Sequence, residues 1–183
     1  MANVINRTTR DSAGALLQAF SVNTPDYSTD DWVINPDLSG VSGVEKYYWK
    51  VTGAPPGGAV EEMDAGEKTA VDATRLAAAK IVKKESLRQA MTTYFATRYE
   101  LTDQNWFQNL YMEAFQSGKT NRRTYIGTWL TWLEGCIAHV RTKIIAVNDA
   151  TTLAEVAAVA LNTTAMTAAD PDITLAGILA IPD

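Results

Sequence analysis

The sequence predicts an α+β protein that is mainly α, with a small N-terminal antiparallel β-meander followed by a helical bundle. Three observations predict this fold. Aromatic and β-branched residues are dense in residues 31–63, where turn-forming glycine and proline interrupt them as they do between short strands. Alanine-rich, helix-favouring sequence begins near Asp64. A long segment ending near residue 147 then repeats apolar residues at helical spacing, which indicates a helix of a bundle.

Residues 1–28 are predicted to form an extended N-terminal arm. They mix Thr, Asn, Asp and Ser with one apolar patch, residues 13–20, which can form two helical turns or an extended segment. Pieces this short are marginal alone in water and need a surface on which to dock. The N-terminus has no signal-peptide core, and no apolar run reaches the roughly 18 residues of a membrane span. We therefore expect synthesis in the cytoplasm and no membrane insertion.

Residues 29–63 are predicted to be a small β region with strands at 31–38, 45–53 and 59–63. The turn GAPPGG precedes the third strand. Strand alternation places Tyr47 and Trp49 on one face and Tyr48 on the other. These three aromatic residues have two interpretations: an exposed platform that stacks on sugars or bases, or the core of the sheet and its packing face against a helix. The second is favoured in so small a sheet.

Residues 64–161 are predicted to form the helical bundle. Asp64 and Glu67 have capping-box spacing. The helix that follows either breaks near Lys84 or continues for more than thirty residues, and a continuous or slightly kinked helix is favoured. A second helix is predicted from Asp103, capped by Thr102, to Gln116, with Gly118 as its terminator. Its inward residues are predicted to be Trp106, Leu110 and Phe115.

The third helix, about residues 121–147, carries the most regular signal in the chain. Its apolar residues recur at spacings of four and three and define a predicted seam, either between oligomer subunits or within the bundle. The seam consists of Ile126, Leu130, Leu133, Ile137, Val140, Ile144 and Val147. Trp129, Trp132 and Cys136 widen this stripe, which favours a bundle helix that buries two sides. A short helix capped by Thr152 and Glu155 follows, and residues 162–183 are predicted to be a C-terminal tail.

Composition argues against several functions. The net charge of −5 disfavours nucleic-acid binding, which depends on basic residues that neutralise phosphates. One cysteine, Cys136, and one histidine, His139, give no disulfide framework and no sequence signature of a metal or cofactor site. His139 could act as a general base or metal ligand, but its place beside the seam favours a structural role. The crowded carboxylates from Glu61 to Glu67 fit a helix N-terminus better than a cation site. At 183 residues, the chain is expected to form one domain, or one domain with an appendage, rather than two full domains.

Two stretches of sequence resemble a recurring module of tailed-bacteriophage virion proteins. They are VNTPDYSTDDWVINPDLSGVSGVEKYYWKVTG (22–53) and AVEEMDAGEKTAVDA (59–73). The module has a VNTPDYP stretch, a W-h-INPDLS-h-V-x-G-V segment with h apolar, a KYWKV-x-G strand and a V-x-EM-x-x-x-EK-x-x-VDA helix start. The resemblance covers about residues 22–75. Ser28 stands where the module has proline, and the GAPPGG loop is longer than its usual turn.

The resemblance implies a virion structural component and supplies no catalytic residues. The expected protein is therefore not an enzyme. It is a tail, fibre or appendage subunit that attaches to the particle through its N-terminal region. A capsid decoration (cement) or head-fibre protein is the alternative, and a carbohydrate-binding module or a non-virion assembly factor is an alternative of another class. The expected partners are other virion proteins and further copies of this chain, with a trimer favoured.

Overall fold

The structure is a computed structural model that describes residues 2–21 and 27–182. Residues 22–26, which begin the virion-module resemblance, lie outside the described residues. The chain divides into two compact units, residues 1–77 (unit 1) and residues 78–183 (unit 2). The sequence instead predicted one domain, or one domain with an appendage, and predicted that the helical bundle starts at residue 64. Both units have a buried core of their own, which is why each is compact.

The described residues of unit 1 form two antiparallel sheets, so the predicted class of small N-terminal antiparallel β structure followed by helices is confirmed. Strand β1 (Ala2–Arg10) lies between β2 (Leu16–Ser21) and β3 (Trp32–Ile34). A second, two-stranded sheet pairs β4 (Trp49–Thr52) with β5 (Ala59–Glu62).

The structure corrects two expectations for this half of the chain. Residues 1–28 are not a separate arm, because β1 is the central strand of the first sheet and β2 is its hairpin partner. The predicted strands at 31–38 and 45–53 are shorter and do not pair with each other, since β3 pairs with β1 and β4 pairs with β5. The polar β1 sequence is held by partners on both sides, and its central residues Val4 and Ile5 are buried.

Six helices follow, and the predicted change from strands to helices is confirmed. They are α1 (Ala65–Arg98), α2 (Leu101–Gln116), α3 (Thr120–Asp149), α4 (Leu153–Ala158), α5 (Thr163–Ala168) and α6 (Leu175–Leu179). Helix α1 is continuous over 34 residues, as predicted. Among the described residues, no helix has the length and apolar character needed to cross a membrane.

The predicted capping boxes are present at the starts of α1 and α4. The Glu67 backbone N–H donates to Asp64 Oδ1 at 2.8 Å, and the Asp64 backbone N–H donates to Glu67 Oε2 at 2.8 Å. Thr152 and Glu155 form the same reciprocal pair at α4. These interactions satisfy backbone donors that a helix start leaves without intrahelical partners.

Helix α2 is rotated relative to the prediction. Its buried residues are Phe107, Leu110 and Ala114, whereas Trp106 and Phe115 are 50% and 57% exposed. Only Leu110 of the three predicted inward residues faces the core. The helix begins at Leu101 without a side-chain cap, so Thr102 is not its cap. It ends at Gln116, and Gly118, the predicted terminator, follows in a left-handed conformation (φ +73°).

The C-terminal segment is part of the unit 2 core and not a tail. Met166, Ile173 and Ile178 are buried in the same cluster as the aromatic residues of α2 and α3. Trp132 Nε1 donates a buried hydrogen bond to the Met166 carbonyl at 2.8 Å. The segment therefore completes the core that the long helices begin.

Candidate interaction surfaces

The predicted seam of α3 lies mostly inside unit 2. Ile126, Val140 and Val147 are buried. Leu130, Leu133 and Ile144 are half-buried and pack against the same core. Ile137 is the exception, with 38% of its surface exposed. Six of the seven seam positions are thus occupied by contacts within one chain.

The centre of the buried face of α3 is offset from the aliphatic seam. Trp129, Trp132 and Cys136 are buried there, and edge-to-face contacts join the two indoles to Tyr99 at centroid distances of 6.1 and 5.6 Å. Large aromatic side chains bury more surface than aliphatic ones, so they determine which side of the helix turns inward. This is why Ile137, although it fits the heptad spacing, faces outward.

The aromatic residues at 47–49 do not alternate across a strand. Tyr47 and Tyr48 lie in a 3₁₀ turn that precedes β4, and their rings meet edge-on at 4.4 Å. Trp49 is buried in the unit 1 core and donates from Nε1 to the Val44 carbonyl at 3.0 Å. The Arg75 guanidinium lies over the Tyr47 ring at 3.5 Å. The Trp49 ring therefore has no exposed face on which a sugar or base could stack.

Tyr48 connects this turn to α1. Its hydroxyl donates to the Asp72 carboxylate at 2.8 Å. This hydrogen bond to a carboxylate raises the pKa of Tyr48 to about 12, since it favours the protonated phenol. The contact is structural: it ties the start of β4 to the first turns of the helix.

Two of the carboxylates between Glu61 and Glu67 form ion pairs with lysines of the same unit. Lys50 Nζ lies 2.6 Å from Glu67 Oε2, and Lys68 binds Glu62. The hydrogen bond from Lys50 lowers the pKa of Glu67, and the Glu67 backbone N–H lowers the pKa of Asp64. Within residues 2–21 and 27–182, no group of three or more His, Cys, Asp and Glu side chains could hold a metal ion.

Two arginines of β1, which the sequence did not single out, bind backbone carbonyls across unit 1. Arg7 donates to the carbonyls of Thr29, Gly53 and Gly57. Arg10 donates to the carbonyls of Gly14, Tyr47 and Trp49 at 2.7, 3.2 and 2.8 Å. Their acceptors lie up to fifty residues away in the chain, so no local sequence pattern marks them.

His139 and Cys136 both have structural environments. His139 Nε2 accepts the Asn162 backbone N–H at 3.2 Å, which helps to hold the start of α5. Cys136 is buried, and burial raises the pKa of its thiol because the thiolate is poorly solvated there. A buried thiol with a raised pKa is a weak nucleophile at neutral pH.

A buried carboxylate anchors the C-terminal segment of unit 2. The Asp170 side chain is 1% exposed and forms an ion pair with Arg98 at 2.7 Å. The Tyr99 hydroxyl and the Asp172 backbone N–H also donate to Asp170. Burial and this hydrogen bond raise the pKa of Tyr99 above its usual range. Each polar group has a partner, so the cluster fastens the segment to the end of α1.

A groove of about 860 Å³ lies on unit 2 beside α3. Its floor includes Gly127 and Gly135, where an added Cβ would meet no atom within 4 Å. The Thr128 and Thr131 hydroxyls along it donate to carbonyls of their own helix, at 2.6 and 3.0 Å, so they are already satisfied. Tyr111, Arg123 and His139 contribute the larger polar side chains of the lining, which otherwise consists mainly of small and apolar residues.

Comparison with known proteins gave no match among family models, curated proteins or solved structures.

Proposed function

We propose that this chain is a non-enzymatic structural subunit of a tailed-bacteriophage particle, in the tail, a fibre or another appendage. It would be made in the host cytoplasm and reside in the virion, where other virion proteins and further copies of itself are its partners. The proposal rests on the resemblance of residues 22–75 to a virion module.

One structural observation supports it best: the segments that carry the resemblance bind one another. Trp49 of the YWKV strand lies in one buried cluster with two residues from other parts of the module. These are Val41 of the INPDLS segment and Val60, which begins the V-x-EM segment. Lys50 of the same strand pairs with Glu67 of the helix start. Residues that recur together in sequence thus contact one another in space.

The polar residues of the module act in the same way. Tyr48 binds Asp72, and Asp37 Oδ1 accepts the Ser39 backbone N–H at 2.9 Å within its own turn. These side chains close turns and join strands to a helix, which are the roles expected in a module maintained for its shape. A structural subunit needs a stable, repeatable shape more than it needs convergent reactive groups.

Attachment to the particle is proposed to use the surface of unit 1. Deleting residues 1–25 would be a poor test, because it removes β1, the central strand of a sheet, its partner β2, and the buried residues Val4 and Ile5. Surface substitutions that leave the core intact are more informative. The exposed side chain of Phe20 on edge strand β2 is one suitable position.

Mass spectrometry of purified particles tests the proposal. We expect peptides of this chain to co-purify with the particle through a density gradient at a fixed ratio to the major capsid protein. A few dozen copies or fewer would indicate an appendage, and hundreds would indicate capsid decoration instead. Abundant chain in the infected-cell lysate with none in the particle fraction would contradict the proposal and favour an assembly factor.

A further inference from the structure

The outer face of α2 has an organisation that the core of unit 2 does not explain. Five residues at spacings of four, three, four and three form an outward stripe, which we call the α2 outer stripe. It consists of Leu101, Asn105, Gln108, Met112 and Phe115. All five are exposed, whereas Phe107, Leu110 and Ala114 on the opposite side of the helix are buried.

The spacing of the stripe is that of a coiled-coil seam. Leu101, Gln108 and Phe115 occupy equivalent d positions, and Asn105 and Met112 occupy a positions, over two heptads. Leu101, Met112 and Phe115 are 72%, 52% and 57% exposed. An asparagine at an a position is known to fix register and oligomer state in coiled coils at some cost in stability. Helix α2 therefore has two contact faces, of which unit 2 uses one.

The chemistry of the stripe favours an identical partner. It carries no charged side chain, so two copies would bring no like charges together. The amides of Asn105 and Gln108 form no hydrogen bond with another described residue, and an amide has both donor and acceptor groups. The same amide on a second copy can thus satisfy it. A strongly charged partner would find no charged side chain on the stripe itself.

The area needed for a stable contact is available only if the surface beside the stripe takes part. From Leu101 to Phe115 the helix rises about 21 Å, while stable interfaces bury about 800 Å² on each partner, more than one helix face of that length supplies. The Arg123 guanidinium lies 5.7 Å from the Phe115 ring, and Arg123 and Tyr111 line the groove of unit 2. The stripe and the groove therefore adjoin.

We infer that a second copy of this chain docks on the α2 outer stripe and extends into the adjoining groove. This contact rests on the proposed function, in which further copies of the chain are partners, and it names the surface through which two copies bind. It lies on α2, whereas the heptads of α3, the most regular in the sequence, are largely occupied within one chain.

Light scattering on the purified full-length chain tests the inference. The native protein is expected to have a mass that is a multiple of 19.9 kDa. The double variant Met112→Lys/Phe115→Lys is expected to raise the dissociation constant at least about a hundredfold, because charge replaces apolar contact at two adjacent seam positions. Both positions are exposed in the single chain, so its circular dichroism should be unchanged.

A matched control is available on α1. Ile81 and Val82 are exposed to a similar degree, and Ile81→Lys/Val82→Lys should leave the mass of the oligomer unchanged. A native protein with the mass of one chain at micromolar concentration would overturn the inference, and so would an equal effect of the two double variants. Neither result would affect membership of the particle, which the mass spectrometry measures separately.

Cross-linking gives an independent measurement. Gln108→Cys is expected to form a disulfide between two copies under mild oxidation, since Gln108 lies at the centre of the stripe. Gln89→Cys, the same substitution at an exposed position of α1, should stay reduced. Native Cys136 is buried and should not react. Absence of the Gln108→Cys disulfide, or its formation at both positions, would contradict the proposed contact.

Discussion

Units 1 and 2 achieve compactness by different means. The largest buried cluster of unit 1 contains five residues with one aromatic ring, Trp49. That of unit 2 contains thirteen, among them Phe107, Trp129 and Trp132. Charge differs as well: residues 1–77 have 6 Lys and Arg against 11 Asp and Glu, and residues 78–183 have 10 of each. The whole net charge of −5 therefore belongs to unit 1.

The difference indicates what stabilises each unit. A small core leaves unit 1 dependent on polar contacts, chiefly those from Arg7 and Arg10 to backbone carbonyls. Unit 2 depends on apolar burial and edge-to-face aromatic contacts, such as Phe107 with Trp129 at 5.3 Å. We therefore expect unit 1 to respond more to polar substitutions and pH, and unit 2 more to removal of buried carbon.

The largest effect is expected from Trp129→Ala. Trp129 is 1% exposed at the centre of unit 2, and the cavity left behind should cost about 4 kcal/mol of unfolding free energy. Hydrogen exchange resolved by residue would show faster exchange in α2 and α3, with β1 and β4 unchanged. Trp106→Ala, at a half-exposed position of α2, is the control and should cost less than about 1 kcal/mol. If the two variants lost equal amounts of unfolding free energy, Trp129 would not lie at the centre of the core.

Arg10→Ala should produce the next largest effect, this time in unit 1. Three backbone carbonyls lose a charged donor, and we expect a loss of about 2 kcal/mol. Hydrogen exchange of the β1 and β4 amides in the otherwise native chain would measure it. Arg141→Ala, an exposed position of α3, should change stability by less than about 0.5 kcal/mol. If the two variants behaved alike, polar contacts would not be what stabilises unit 1.

Acid should weaken the start of α1. The pKa values of Asp64 and Glu67 are lowered in the folded chain, so their stabilising contribution is complete above the unfolded values of 3.8 and 4.5. It is lost as the pH falls through the lower folded values. The melting temperature of unit 1 should therefore be steady above about pH 5 and fall as the pH drops below about 4.5. Glu67→Gln should reduce this fall, because the amide cannot titrate, and an unchanged pH dependence would count against the ion pair with Lys50.

The smallest effect is expected at Ile137. Because it is exposed, Ile137→Gln should change the unfolding free energy of unit 2 by less than about 0.5 kcal/mol. Ile126→Ala at a buried seam position should cost about 3 kcal/mol. Chemical denaturation of both variants measures the contrast. A large loss at Ile137 would mean that the helix face identified by the heptads, and not the one occupied by the tryptophans, is buried.

The features predicted correctly from sequence depend on neighbouring residues. The capping boxes at Asp64 and Thr152, the continuity of α1 and the end of α2 just before Gly118 all follow from interactions within a few residues. The predictions that were wrong concern residues whose contacts lie far away in the sequence. Strand β1 was read as an arm because its polar residues become a strand only between β2 and β3. The predicted orientation of α2 was wrong because Phe107, and not Trp106, contacts Trp129 of the next helix.

The candidate surfaces show the same division. Heptad spacing correctly indicated that α3 packs against other elements, but it did not show which side of the helix is most buried. That side depends on how Tyr99 packs against Trp129 and Trp132. The α2 outer stripe had a sequence signal, its four-and-three spacing, but the amides at two of its positions concealed it among the polar residues of the helix. Contacts such as Arg98 with Asp170 join residues 72 positions apart and had no such signal.

The arginine contacts of unit 1 also bear on how freely its loops can change. Arg7 binds the main-chain carbonyls of Gly53 and Gly57, and the side chains of residues 54–56 take no part in that contact. Gly53 and Gly58 are constrained by positive φ and by close approach, with a Cβ on Gly58 only 3.1 Å from the Thr52 carbonyl oxygen. Residues 54–56 between these glycines are exposed, so we expect substitutions of their side chains to leave the Arg7 contacts in place.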